Sequence, residues 1–431
     1  MDKKDQSALN MISLPSLNNE LHGPWRMKLT PYRRSLRDLM SYAYLLGHFK
    51  LRSFYNFLYT KAVVPTGEGS HLNLASLLAR LKTDRADIPV PRFIEMETTT
   101  VCNKRCKICE YVYWAPGEQV RRHMSLEEFK HIVNQFPKLR WVNLTGEGSS
   151  FLNPDYPAML RYLWDKDRTS IWLVDHLDDI SFEDLVSDVF PYIHGIYVSM
   201  DAATKETYEN IKVGCTFESV VNNLQKIVAY KQSQHILFPH IAFRYIITNE
   251  NLREMPLFLD LLNSIAKPSA WGGSSSFVEF AGLLAFPEIQ QYYIDHIPFT
   301  ILDELRQRRK GIEFYFSHPE ESRNPPCEEC TAWLEPYIMM PGYVVPCCAV
   351  MMSNRRPFLR EYSFGNVLNE DFSEIWRSDY YRGFRQKIMD PEASVPKICV
   401  GCRAFRTEHR VSKYGIWDIR TEDGAGRIAQ V

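Results

Sequence analysis

From residue 91 onward the chain alternates short apolar runs with longer stretches whose apolar residues recur every three or four positions. The first kind reads as buried parallel strands, the second as amphipathic helices. The strand-like runs are PRFIEME (91–97), RWVNLTG (140–146), SIWLVD (170–175), GIYVSMDA (195–202), HIAFRYIIT (240–248) and SFVEFAGLL (276–284). Between them lie SLEEFKHIVNQF (125–136), PAMLRYLWD, SFEDLVSDVF, FESVVNNLQKIVAYKQ and LREMPLFLDLLNSIA. Ser125, three residues before Glu128, has the pattern of a capping box and marks a helix start. Six strand–helix units predict an α/β fold, a partial (β/α)6 TIM-like barrel that falls short of eight strands.

Both ends break this rhythm. Residues 1–24 are polar, and Pro31–Leu81, with YRRSLRDLMSYAYLLGHFKLRSFYNFLY, reads as two or three amphipathic helices. The plain reading is a helical cap on the main domain. The sharper one is a surface for a partner or a membrane, because Arg33, Arg34, Arg37, Lys50 and Arg52 stand beside many aromatics. Near residue 320 the alternation stops. A hairpin-like IMMPGYVVPCC follows, then one helix, SEIWRSDYYRGFRQKIM. The expected divisions are a helical N-terminal segment (1–90), the barrel (91–290), a linker (291–326), a small cysteine-rich domain (327–410) and a polar tail (411–431).

A length of 431 residues exceeds one compact core, and 45% hydrophobic with 24% charged residues is ordinary for a soluble globular chain. The formal net charge of −1 argues against broad binding to nucleic acid or anionic membrane. No apolar run is long enough for a membrane span, and MDKKDQSALNMISLPSL lacks the apolar core of a signal peptide. A reducing cytoplasm is therefore expected, where ten cysteines read as metal ligands rather than disulfides. Three lie at 102–109, one at 215 and six at 327–402.

Cys102, Cys106 and Cys109 crowd into VCNKRCKICE, just after the first predicted strand. Iron–sulfur clusters are held by cysteine thiolates, usually four for a [4Fe–4S] cluster. Three thiolates would leave one iron open for chemistry, as catalytic zinc sites keep an open position. A structural zinc would want a fourth protein ligand, and His123 has no usual zinc spacing.

CNKRCKIC resembles the CxxxCxxC signature of the radical S-adenosylmethionine (radical SAM) superfamily. The resemblance implies a [4Fe–4S] cluster whose open iron binds S-adenosylmethionine, and its reductive cleavage to a 5′-deoxyadenosyl radical. LTGEGSSFLNPDY (144–156) resembles the second-strand motif, which puts Gly146 and Glu147 at the amino group of S-adenosylmethionine. Glycine lets backbone approach a ligand and a carboxylate suits an ammonium. YVSMDAATKETYENIKVG (197–214) resembles the fourth-strand segment, with Ser199 meeting the carboxylate and Asp201 beside it; FRYIITNEN resembles the fifth, with Asn251 in place. Ile108 stands where many relatives have an aromatic residue near the adenine, which leaves Tyr111, Tyr113 or Trp114 for that contact. LVDHLDD replaces a Thr-Asn-Gly turn and puts Asp175 and His176 at the barrel mouth, as substrate contacts or as a solvated turn.

CTAWLEPYIMMPGYVVPC (330–347), FGNVLNEDFSEIWRSDYYRGFRQ (364–386) and CVGC resemble the SPASM domain, which binds auxiliary iron–sulfur clusters. No cysteine follows Cys402, so the resemblance implies one auxiliary cluster of [4Fe–4S] type, as in the reduced twitch form, on Cys330, Cys347, Cys399 and Cys402. Cys327 and Cys348 are then spare, and a structural zinc on the same four ligands is the alternative. Cys215 reads either as a small buried hydrophobe or as a thiol returning hydrogen to a substrate radical. Arg244, if it points into the barrel, needs a charged partner, which a substrate or S-adenosylmethionine carboxylate would supply; Glu279 is similar. The expected activity is hydrogen abstraction from a small polar metabolite, such as a sugar or aminocyclitol, ending in dehydrogenation or epimerisation, with a flavodoxin or ferredoxin as electron donor. The alternatives are SPASM-type modification of a ribosomal peptide and a non-catalytic iron–sulfur sensor or electron carrier.

Overall fold

The computed structural model describes residues 89–399, apart from 137, 273–276, 285, 295–296, 318–334, 353, 390–392 and 395, together with 410–411, 417–419 and 427–428. The helical reading of 31–81, and Cys327, Cys330 and Cys402, lie outside the described residues.

All six predicted strands form: β1 (Phe93–Met96), β2 (Trp141–Leu144), β3 (Ser170–Asp175), β4 (Gly195–Ser199), β5 (His240–Ile246) and β6 (Val278–Ala281). They pair in parallel and in sequence order. Two additions extend the sheet. The stretch 291–326, expected as a linker, holds the helix Phe299–Arg308 and a seventh strand, β7 (Phe314–Ser317), which pairs in parallel with β6. Four residues of FYFS are too short a run for pattern to separate from a loop. On the other side, β8 (Tyr337–Met339) pairs in parallel with β1, and β9 (Tyr343–Val345) returns antiparallel to it. The predicted hairpin is thus real, and it continues the barrel sheet, whose order is β7-β6-β5-β4-β3-β2-β1-β8-β9.

The predicted helix SEIWRSDYYRGFRQKIM forms as two, Phe372–Arg377 and Asp379–Met389. Ser378 divides them with an extended ψ of 151°, and its Oγ accepts the Tyr381 N–H at 3.2 Å, as helix-capping serines do. The expected polar tail contains three short antiparallel strands, β10 (Arg410–Val411), β11 (Trp417–Ile419) and β12 (Arg427–Ile428).

Alternation along each strand gives the sheet two unlike faces. Ile94, Met96, Val142, Leu144, Ile171, Leu173, Ile196, Val198, Ile241, Phe243, Val278 and Phe280 are all buried and form one core. The helices Leu126–Asn134, Tyr156–Asp167, Phe217–Ser233 and Met255–Ile265 supply Phe129, Leu160, Leu224 and Leu259 to that core. The first of these starts with the predicted capping box, Ser125 accepting from the Glu128 N–H. The opposite face carries Glu95, Asn143, Trp172, Tyr197, Ser199, Arg244 and Glu279, aligned by the strand registers. On β3, β4 and β5 the half-buried positions, Trp172, Val174, Tyr197, Ser199, Arg244 and Ile246, all belong to this face. It is therefore the polar, accessible interior of the barrel.

Candidate functional site

The cysteine loop leaves the C-terminal end of β1 and is pinned by its backbone. Arg105 N–H donates to Val213 O (2.8 Å), Lys107 N–H to Ile211 O (2.9 Å) and Cys109 N–H to Cys106 O (3.1 Å). The Tyr111 hydroxyl donates to Cys102 O (3.0 Å) and accepts the Cys102 N–H (3.1 Å). Cys102, Cys106 and Cys109 are all free, half-buried thiols. Ile108 is a core residue, packed with Ile211, Leu283, Phe286 and Ile289. Of the three aromatic candidates near it, Tyr111 is engaged with Cys102, Tyr113 packs against the Ile108 cluster, and Trp114 lies 5.1 Å from the Arg356 guanidinium.

Gly146 and Glu147 follow β2 and lie beside this loop. A Cβ at Gly146 would stand 2.4 Å from Glu97 Cγ, so only glycine lets Glu97 pass. Glu97 accepts from Glu147 N–H (2.9 Å), Met340 N–H (3.0 Å) and both Nη atoms of Arg356 (2.7 Å each). Glu97 and Arg356 are fully buried. Glu147 itself accepts the Cys109 thiol at 3.6 Å and lies beside the buried Glu110 carboxyl. Burial pushes the Glu110 and Glu147 carboxyls up from their usual range. Three carboxyl groups thus lie within 4.0 Å of one guanidinium, a surplus of buried acid groups beside Cys109. An ammonium group fits that surplus, and three free thiols on one loop fit three irons of a cluster.

The β3 loop clamps the cysteine loop from the other side. Lys104 Nζ pairs with Asp178 (2.6 Å) and Asp179 (2.9 Å), and Asn103 Nδ2 donates to Asp179 (2.8 Å). Ser149 Oγ also donates to Asp179 (2.8 Å). His176 Nε2 is 3.3 Å from Asp179, and His176 Nδ1 accepts the Asp178 N–H at 3.2 Å. Asp175 lies in register with Val198, on the helix-packed face, and accepts the Leu177 N–H at 2.7 Å. So Asp175 and His176, expected as substrate contacts, belong to the clamp: Asp175 closes its own turn. Asp201, expected near the cofactor carboxylate, takes Lys212 Nζ (2.9 Å) and the Ile246 N–H (2.7 Å), which holds β4 to β5. Asn251 braces the same corner through Asp201 O and Ile246 O. Cys215 is buried in contact with Cys106, whose thiol it draws down to about 7 by a hydrogen bond.

Ser199 and Arg244 pair in register on the interior face. Arg244 does point inward, and its charged partner is Glu279, at 3.0 Å from Nε and 2.9 Å from Nη2. Tyr197 stands under the guanidinium, 5.6 Å from its ring centre. Across the face, Asn143 Nδ2 donates to Glu95 Oε1 at 2.8 Å. Glu335, from the segment before β8, brings a second carboxylate to Glu95, and its own is pushed well up by burial and by Glu95. Cys348 lies against Glu95, with its thiol pushed up by burial. Cys347 and Cys399 are buried in the main core. Asn354 joins their segments, donating to Val350 O (2.8 Å) and Ile398 O (3.3 Å).

Glu95, Glu97, Asn143 and Arg356 escaped the sequence reading. A signal for the first two existed: glutamates at period two inside the apolar run PRFIEME can only share the barrel's interior face. Arg356 had none, since its partner lies 259 positions away.

Residues 327–403 match the SPASM family, described as an iron–sulfur cluster-binding domain. A curated relative, the tungsten-containing aldehyde ferredoxin oxidoreductase cofactor-modifying protein of Pyrococcus furiosus, is 24% identical over 314 residues, 68% of this chain and 83% of that protein. Among solved structures, SuiB of Streptococcus suis bound to its precursor peptide SuiA has a TM-score of 0.54 at 13% identity, covering 76% of this chain and 73% of that one. SuiB bound to S-adenosylmethionine gives 0.51 at 13% identity, covering 79% and 75%.

Proposed function

We infer, for a chain that has the fold of the radical SAM enzymes and carries a SPASM iron–sulfur domain, that it takes a hydrogen atom from a small polar substrate bound on the barrel's interior face. The observation that carries this is the three-thiol loop seated against Gly146 and Glu147, with the Cys109 thiol 3.6 Å from the Glu147 carboxylate. Cys102, Cys106 and Cys109 hold a [4Fe–4S] cluster; Glu147 accepts the ammonium of S-adenosylmethionine; Ser199, on the interior face, meets its carboxylate. When bound, cluster and S-adenosylmethionine together supply a 5′-deoxyadenosyl radical once a flavodoxin or ferredoxin has delivered an electron. The Lys104 clamp and the Tyr111 hydroxyl hold the loop in place for this, and the Ile108 core keeps water from its outer side.

Cys347 and Cys399, with Cys330 and Cys402, hold one auxiliary cluster. Because Cys215 is buried against Cys106, we favour oxidation of the substrate over hydrogen return from Cys215; the auxiliary cluster would supply an acceptor for the second electron, and the proton would leave to solvent. No helix among the described residues is long and apolar enough to cross a membrane. Peptide modification is a second reading: a peptide would need to enter the same face. The test is anaerobic reconstitution with iron and sulfide, then dithionite and S-adenosylmethionine. We expect 5′-deoxyadenosine and methionine, and none from Cys106→Ala. A reconstituted native protein that forms neither product is an electron carrier or sensor instead.

A further inference from the structure

The interior face has an acceptor surplus away from the cysteine loop. Glu95 and Asn143 are 6% and 8% exposed, aligned on adjacent strands. Their one mutual hydrogen bond consumes Glu95 Oε1 and an Asn143 N–H. Among the described residues Glu95 Oε2 and Asn143 Oδ1 receive no hydrogen bond from a nitrogen or oxygen donor, although both are buried. Beside Glu95, Glu335 adds a further carboxyl group whose Oε1 likewise has no partner among the described residues. Neither Glu95 nor Glu335 has an ion-pair partner among the described residues. Leaving a buried acceptor unmade costs about 1–3 kcal/mol, more when it is charged. Several such atoms in one place indicate a group that arrives with protons to donate.

The surroundings narrow that group. Trp172 continues the row of Glu95 and Asn143, and its ring lies over Gly195, where a Cβ would stand 2.3 Å from the indole. Trp172 and Tyr197 pack with ring centres 5.3 Å apart, both half-buried on the accessible face. Carboxylates beside aromatic faces favour a cation, and a carboxylate or phosphate would be repelled. The guanidinium groups of this face among the described residues are already engaged, Arg244 by Glu279 and Arg356 by Glu97.

We propose that Glu95 and Asn143 form the substrate subsite and bind a protonated primary amine, so that the enzyme acts on an amine-bearing molecule. The subsite rests on the interior face being the substrate face. Its ligand chemistry could come from a free amino compound or from a lysine side chain of a peptide.

The test uses two matched pairs in calorimetric titration of the reconstituted protein with S-adenosylmethionine present: glucosamine against N-acetylglucosamine, and end-blocked Gly-Lys-Gly against its Nε-acetylated form. In at least one pair the amine is expected to bind about tenfold or more tighter than its acetylated counterpart, as a charge-assisted hydrogen bond implies. The pair that discriminates tells the free compound from the peptide. Glu95→Gln, nearly isosteric, and Asn143→Leu are each expected to reduce that preference, Glu95→Gln to within about twofold. Equal binding within both pairs, binding by neither, or a preference that survives Glu95→Gln overturns the proposal. The native pairs decide it even if a variant fails to fold. Cleavage of S-adenosylmethionine is assayed separately, so its absence would remove the radical chemistry and leave the amine result standing.

Discussion

At the residue scale, the three cysteines of the loop after β1 are not equivalent. Burial pushes the Cys102 and Cys109 thiols up, whereas Cys106 is drawn down to about 7 by Cys215, with Lys212 assisting against burial. A depressed thiol is ionised above its pKa, so in cluster-free protein Cys106 is expected to react first with iodoacetamide. Its rate should climb as pH rises through 7 and level off about one unit higher. Cys215→Ser should flatten that advantage, and mass-spectrometric mapping of the alkylated peptides reads it out. Equal labelling of all three would contradict the contact. That Cys102, Cys106 and Cys109 share one loop after β1 was legible because their spacing is local. Cys215, Asp175 and His176 were harder, since nothing in a loop's text says whether a side chain turns towards the cavity or back onto its own backbone. The sequence left the direction of Arg244 open; it points inward, and its partner is a protein carboxylate on the next strand.

At the element scale, strands of the barrel could be read because their apolar runs have one fully buried face, and the helix between β1 and β2 announced itself through its cap. Ser125 and Glu128 exchange hydrogen bonds, and Arg122 pairs with Glu128 at 2.9 Å. Ser125→Ala is expected to cost about 1 kcal/mol. A urea midpoint measured beside Ser125→Asp, which keeps a cap, checks this: both variants falling alike would rule out the capping contribution. The elements that went unread were those whose meaning depends on a distant neighbour. β7 is four residues long and becomes a strand by lying along β6. The SFEDLVSDVF helix forms but ends in a wider turn, Phe190 N–H donating to Leu185 O at 2.9 Å. That is a five-residue closure which no periodicity of 3.6 foretells.

At the scale of the whole molecule, the SPASM part is joined to the barrel rather than hung from it. β8 continues the sheet beside β1. Arg356 enters the site to grip Glu97, and Gln135 accepts the Phe372 N–H (2.7 Å) while donating to Val367 O (2.7 Å). Arg356→Met should therefore destabilise the entire chain, by about 3–5 kcal/mol, because it strands a buried carboxylate. The urea transition should stay single, and adding Glu97→Gln should return part of the loss. Two separate transitions, with the first alone affected, would show that the parts melt independently. A sequence expectation of separate barrel, linker and C-terminal domain missed this because pairing across some 240 positions leaves no local mark. The same join has a consequence during synthesis. β1 leaves the ribosome early, yet one of its edges stays bare until β8 emerges, roughly 10–50 s later at about 5–20 residues per second. For that interval the nascent chain offers an open strand edge of the kind that recruits chaperones or pairs wrongly. The loop that follows β1, with Cys102, Cys106 and Cys109, would then rest on an incomplete sheet until β8 is in place.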